Sequence, residues 1–167
     1  CRWLMSTLSF KQFIAEGGLS RAVRNSMQRN TAQLTANRGN VSSAENKAKN
    51  KELGKRVRSL GYGYKKVEGK YAEKDEKTGE TKTVREPSIV VNAPKKKFRT
   101  FKKQMKRLGK EYNQDSIITK KGKKDAILNP TARRAGTKGM RLGQVKPNRP
   151  NPYGETKVKN KSYSYGN

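Results

Sequence analysis

Ten glutamates, three aspartates, one cysteine and no histidine are the stock from which this 167-residue chain must build any acid, base, nucleophile or metal site. Cys1 alone makes no intrachain disulfide, and the histidine and thiolate ligand sets of common metal centres are missing. Carboxylates by themselves hold Mg²⁺ for phosphoryl chemistry. Glu86 and Asp115, each beside a predicted strand, are the candidates for such a pair, with Glu68 and Glu73 as further carboxylates. A Mg²⁺ nuclease is therefore the catalytic possibility, although both residues read more plainly as turn and capping residues. Gly61 and Gly63 are too few for a phosphate cradle, and neither a P-loop nor a dinucleotide fingerprint is present. The expectation is a protein that is not an enzyme and takes no cofactor.

The cations point elsewhere. Forty-one Lys and Arg residues give a net charge of +28. Such a polycation gains free energy from every condensed counterion it displaces on a nucleic acid. Its densest stretch carries Lys95, Lys96, Lys97, Arg99, Lys102, Lys103, Lys106, Arg107 and Lys110 with no acidic residue among them. A helix so charged repels itself unless phosphates relieve it. Lys120, Lys121, Lys123 and Lys124 follow in a predicted turn, and Arg133 and Arg134 beyond it, which completes the candidate nucleic-acid contacts. No helix-turn-helix, finger or ribonucleoprotein signature is present, so sequence-blind binding is expected, to DNA foremost. Tyr62, Tyr64, Tyr71, Tyr153, Tyr163 and Tyr165, interleaved with cations, are of a type that stacks on bases. No apolar run approaches the roughly 18 residues of a membrane span, and no membrane partner is expected.

These residues need elements to position them. Ser42 and Glu45 have capping-box spacing and open a helix that Ala44, Ala48, Leu53, Val57 and Leu60 stripe, with Gly61 closing it. From Tyr62 the period becomes two, predicting a strand through Tyr71. A charged hairpin loop centred on Thr78 and Gly79 leads to a return strand at Ser88–Val91. Pro94 opens a second helix to about Leu108, seamed by Phe98, Phe101, Met105 and Leu108 and ended by Gly109. Ser116–Thr119 and Ala126–Leu128 predict a short hairpin. The expected fold is α+β: a small mixed sheet of about four strands with two main helices over residues 42–129. Residues 17–41 read as a polar linker with a weak helix, and 130–167 as a flexible basic tail.

Residues 4–16 differ from all this, being apolar and nearly neutral, with Gly17 and Gly18 to end a helix. Met5 makes a natural start, and residues 1–4 read as a translation scar. The segment Met5 to Glu16 followed by two glycines resembles the capsid-targeting peptides of internal head proteins in T-even-type tailed phages. That resemblance implies entry into the prohead, cutting by the prohead protease after the triplet Ile14, Ala15, Glu16 to leave Gly17 first, packaging with DNA in the virion interior, and injection to act on a host protein in the host cytoplasm, with counter-defence among the tasks of the class. Glu16 alone among the glutamates has Ile or Leu two positions before it. The body also resembles small phage proteins of unknown function, through Leu60-Gly-Tyr-Gly-Tyr, Val67-Glu-Gly-Lys-Tyr, Glu86-Pro-Ser and Tyr112-Asn-Gln-Asp-Ser-Ile. The rival expectation is a non-packaged nucleic-acid-associated protein that inhibits a host enzyme or ribosome, with residues 4–16 as a partner-binding helix.

Overall fold

The computed structural model describes residues 27–93, 97–131, 139–147, 155–158 and 161–166. Within them the chain is mainly β. Eight strands run β1 (Asn30–Leu34), β2 (Gly63–Lys74), β3 (Thr81–Ala93), β4 (Ser116–Lys120), β5 (Ala126–Pro130), β6 (Met140–Pro147), β7 (Glu155–Val158) and β8 (Lys161–Gly166). Helix α1 (Ser43–Ser59) lies between β1 and β2, and α2 (Phe98–Glu111) between β3 and β4. All strand pairs are antiparallel, and the order β1-β3-β2-β7-β8-β6-β5-β4 closes on itself where β4 meets β1. The expected four-stranded mixed sheet with a flexible tail is thereby corrected. Three strands come from the segment read as tail, and β1 comes from the segment read as linker.

The two helices follow their local signals. Ser42 caps α1 by accepting the backbone N–H of Glu45 at 3.2 Å, and Gly61, at φ 88°, adopts the left-handed turn that ends it. The buried stripe of α1 is Asn46, Leu53, Gly54 and Val57. Ala44, Ala48 and Leu60, expected on that stripe, are exposed. The predicted seam of α2 holds at Phe101, Met105 and Leu108, all buried. The hairpin between β2 and β3 is an Asx turn, in which the Asp75 carboxylate accepts from the N–H groups of Lys77 and Thr78 and is held below its usual range by those bonds.

Beneath the helices, β1 and the second half of β3 are buried on both faces. Ile89 and Val91 point outward and, with Ala32, Leu34 and Ile117, pack beneath Leu53 and Val57 of α1 and Phe101, Met105 and Leu108 of α2. Val90 points the other way, into the barrel, with Val67, Val145 and Tyr163. An eight-stranded barrel is just wide enough to be filled by side chains or to hold one small ligand. This one does both.

Gly109 does not end α2, which continues to Glu111. Its role is close approach: a Cβ there would stand 2.7 Å from Ile117 Cγ2 and 3.1 Å from Thr131 Cγ2. Since Ile117 is fully buried and cannot yield, Gly109→Ala is expected to destabilise the protein by about 1 kcal/mol. Overpacking, typically about 1–3 kcal/mol, outweighs the roughly 1 kcal/mol that alanine gains in a helix. A lower urea midpoint at unchanged slope is the check.

Candidate active site in the barrel lumen

Positions on all eight strands converge on a cavity of about 500 Å³ at one end of the barrel. Small-molecule sites occupy roughly 300–1,000 Å³. The lining divides by strand order. The neighbouring strands β1, β3, β2 and β7 and their ends supply Gln33, Thr35, Ser88, Glu86 and Thr156, a polar wall. The other four supply Ile118, Leu128, Met140, Leu142 and the ring of Tyr165, a mostly apolar wall. A lumen so divided suits a ligand with a charged end and a flat, less polar body.

Hydrogen bonds fix the polar wall. The Thr35 hydroxyl donates to the Pro87 carbonyl at 2.7 Å, and its backbone N–H donates to Gln114 Oε1 at 2.9 Å. The Thr156 hydroxyl donates to Gln33 Oε1 at 3.2 Å, joining β7 to β1 over the two strands between them. Gly69 on β2 faces the same wall, where a Cβ would make ordinary contact with Ser88 Oγ and Gln33 Nε2 at 3.5 and 3.6 Å. Glu86 is half-buried, and among the described residues it is the one carboxylate on the lining, as Lys70 is the one cation. In a chain of net charge +28, the lining thus carries one charge of each sign, and Glu86 is its anionic point for a cationic group.

Tyr165 lines the cavity and packs edge-on to Tyr163, their rings 5.8 Å apart at 85°. Burial, with Tyr163 beside it, holds the Tyr165 phenol protonated well above its ordinary range. The phenol is therefore neutral at ordinary pH.

At the other end of the barrel lies Lys120, 1% exposed. Its ammonium donates to the carbonyls of Met27 at 3.2 Å, Arg29 at 3.3 Å and Gly122. Burial lowers its pKa to about 8. The folded protein thus releases this proton more readily than the unfolded chain does, so the burial penalty applies in full below pH 8 and is relieved as pH rises towards the unfolded value near 10.5. Stability is expected to increase by about 2 kcal/mol from pH 8 to 10 through this group. Urea titrations at both values should show the rise, and Lys120→Met should remove about that much of it.

The structure distributes the residues singled out in the sequence as follows. Glu86 lines the lumen, whereas Asp115 is exposed and is not on the lining, so the pair expected to hold Mg²⁺ is not assembled. No cluster of three His, Cys, Asp or Glu residues exists among the described residues. Glu68 pairs with Arg85 at 3.7 Å on the surface. Lys120, expected to contact phosphate, is corrected to an internal cation by its burial. Tyr163 and Tyr165 belong to the barrel interior, whereas Tyr62 and Tyr64 are half-buried against the outer core. Lys97, Arg99, Lys102, Lys103, Lys106, Arg107 and Lys110 lie on or next to α2, and Lys121, Lys123 and Lys124 in the β4–β5 turn. Arg107 does find an i,i+4 partner, Glu111, at 3.5 Å. Lys95, Lys96, Arg133, Arg134, Tyr153 and the expected processing site at Ile14–Gly17 lie outside the described residues. Among those described, no helix is long and apolar enough to cross a membrane.

Sequence reasoning missed Gln33, Thr35, Ser88 and Thr156. Their signal was the polar half of strands whose apolar half faces the helices, and it is visible only once the barrel is closed.

Residues 32–166 match the sequence model of the S-adenosylmethionine lyase family. The matched segment contains every residue of the cavity lining and leaves out the N-terminal segment. No curated protein matches the chain. The match overturns the expectation that the chain is not an enzyme.

Proposed function

The chain belongs to the S-adenosylmethionine lyase family, and from that premise we propose that it is a lyase that binds S-adenosylmethionine in the barrel lumen and breaks one of its carbon–sulfur bonds. The observation that carries this reading is the coincidence of the family match with a divided lumen of suitable size, on which Glu86 is the one carboxylate among the described residues. S-adenosylmethionine carries a sulfonium, an α-ammonium, a carboxylate and an adenine. Glu86 takes the ammonium on the polar wall, with Gln33, Ser88 and Thr156 as hydrogen-bonding neighbours. The sulfonium and adenine then lie towards Ile118, Leu128, Met140, Leu142 and the Tyr165 ring.

That placement favours the chemistry. As the carbon–sulfur bond breaks, its electron pair stays on sulfur and a neutral thioether leaves, so positive charge on sulfur fades in the transition state. Water and carboxylates stabilise the sulfonium more than that transition state. An apolar wall stabilises it less, and the barrier falls accordingly. A neutral thioether needs no proton to depart, which suits a chain without histidine. In a lyase the vacated bond on carbon is remade from within the substrate, without water.

The test is incubation of the purified protein with S-adenosylmethionine and analysis of early products by mass spectrometry. The two product masses should sum to that of the substrate, with no oxygen taken from ¹⁸O-labelled water. Unchanged substrate, or label in the first-formed products, overturns the reading.

The N-terminal address segment is a separate proposal supported by the Ile14-Ala15-Glu16 triplet, which falls outside the matched residues. Mass spectrometry of purified virions should find the protein beginning at Gly17. Recovery of intact residues 5–16 from mature particles contradicts it.

A further inference from the structure

Outside the lumen, the side of α2 flanking its apolar seam meets β4, β5 and β6 in a second concavity of about 580 Å³. Lys102, Lys121, Lys124 and Arg141 line it together with one acid, Asp125. That acid is already engaged, because Arg141 pairs with Asp125 and the Gln144 amide donates to its other oxygen at 2.6 Å. Among the described residues the three lysines have no carboxylate partner. Lys102 is half-buried, and burial, with Lys106 one turn along, holds its pKa below the ordinary lysine value. Cations brought together from a helix and a neighbouring hairpin repel one another, and among the described residues the one acid lining the groove, Asp125, is taken up by Arg141 and Gln144.

We propose that this groove between α2 and the β4–β5 hairpin is a binding site for the phosphodiester backbone of a nucleic acid, DNA in the first instance. The charge is of the required sign and lines a concave track, and ammonium groups neutralise phosphates as point charges, without reading bases. The groove also separates its own cations from the rest. Lys103 and Arg107 are exposed on α2, and Arg107 already pairs with Glu111. Lys102, Lys121 and Lys124 share one concave surface. The site is independent of the lumen and of the lyase reading, since none of the three lines that cavity.

The experiment measures binding of a fluorescent 20-base-pair duplex by anisotropy across a salt series. It compares wild type, the triple variant Lys102→Gln, Lys121→Gln, Lys124→Gln, and a control triple variant Lys47→Gln, Lys51→Gln, Lys55→Gln on exposed positions of α1, which removes the same charge. Circular dichroism and thermal melting verify the fold of each. The groove variant should bind at least tenfold more weakly at moderate salt, and its log K against log salt slope should flatten by about 2.7, roughly 0.9 for each phosphate no longer neutralised. The control should change neither by more than about half as much. Equal losses in the two variants would mean that net charge alone binds DNA and would overturn the groove. So would no binding by wild type, or competition by polyglutamate as effective as by unlabelled DNA, which would reassign the groove to acidic protein. Cleavage of S-adenosylmethionine by the groove variant should stay at the wild-type rate, so failure of either proposal is read separately.

Discussion

Glu86→Gln is expected to raise KM for S-adenosylmethionine about 100-fold while kcat changes far less, with stability to urea nearly that of wild type. The substrate brings two positive charges and one negative into a chain of net charge +28, and Glu86 is the one carboxylate on the described lining that can meet either cation. Glutamine keeps the shape and removes the charge. Losing one partner of a desolvated charge pair costs about 2–5 kcal/mol, and about 2.7 kcal/mol is a hundredfold. The split between the two constants follows from which charge Glu86 faces. The ammonium is equally charged in ground and transition states, so its loss is a uniform binding loss that appears in KM. If Glu86 instead faced the sulfonium, its removal would relieve ground-state stabilisation and kcat would rise. Steady-state kinetics distinguishes the two, and kinetics indistinguishable from wild type would remove Glu86 from the site altogether.

Tyr163→Ala is expected to cost about 3–5 kcal/mol, the range for deleting a buried aromatic. That approaches the whole stability of a small domain, commonly about 5–15 kcal/mol. Tyr163 is 1% exposed and packs with Val67, Val90 and Val145 inside the barrel. It sits on β8, which bridges β6 to β7, and β7 in turn pairs with β2. Loosening β8 therefore opens the barrel at the seam between its N-terminal and C-terminal strands, and the lumen should lose its ligand together with its closure. Urea unfolding followed by circular dichroism measures the first effect, and calorimetric titration with S-adenosylmethionine the second. Were residues 130–167 a flexible tail, the substitution would leave the unfolding midpoint where it was.

What the sequence determined by itself were the parts governed by neighbours along the chain. The capping serine of α1, the Phe101-Met105-Leu108 seam of α2, the period-two run into β2, the turn at Gly79 and the β4–β5 hairpin all act within a few residues, and each stands in the structure. The polycationic character is likewise composition alone. Barrel closure is different, because it depends on pairs far apart in sequence. Asn30-Thr-Ala-Gln-Leu reads as linker because only Ala32 and Leu34 are apolar, yet those two face the helices while Gln33 faces a polar lumen. A strand between an apolar exterior and the polar wall of the lumen gives a hydrophobic signal at half its positions only. Near β6 the pattern is also broken by Gly143, at φ 95°, where a bulge shifts the register against β5. The lysines show the same division. Sequence spacing placed Lys120 and Lys121 in one basic turn, but strand alternation sends Lys120 into the barrel and leaves Lys121 outside. Glu86 could be named from its residue type and not from its surroundings. Only a closed barrel, in which β3 turns that carboxylate inward among strands contributed by the last thirty residues, decides that it lines the lumen.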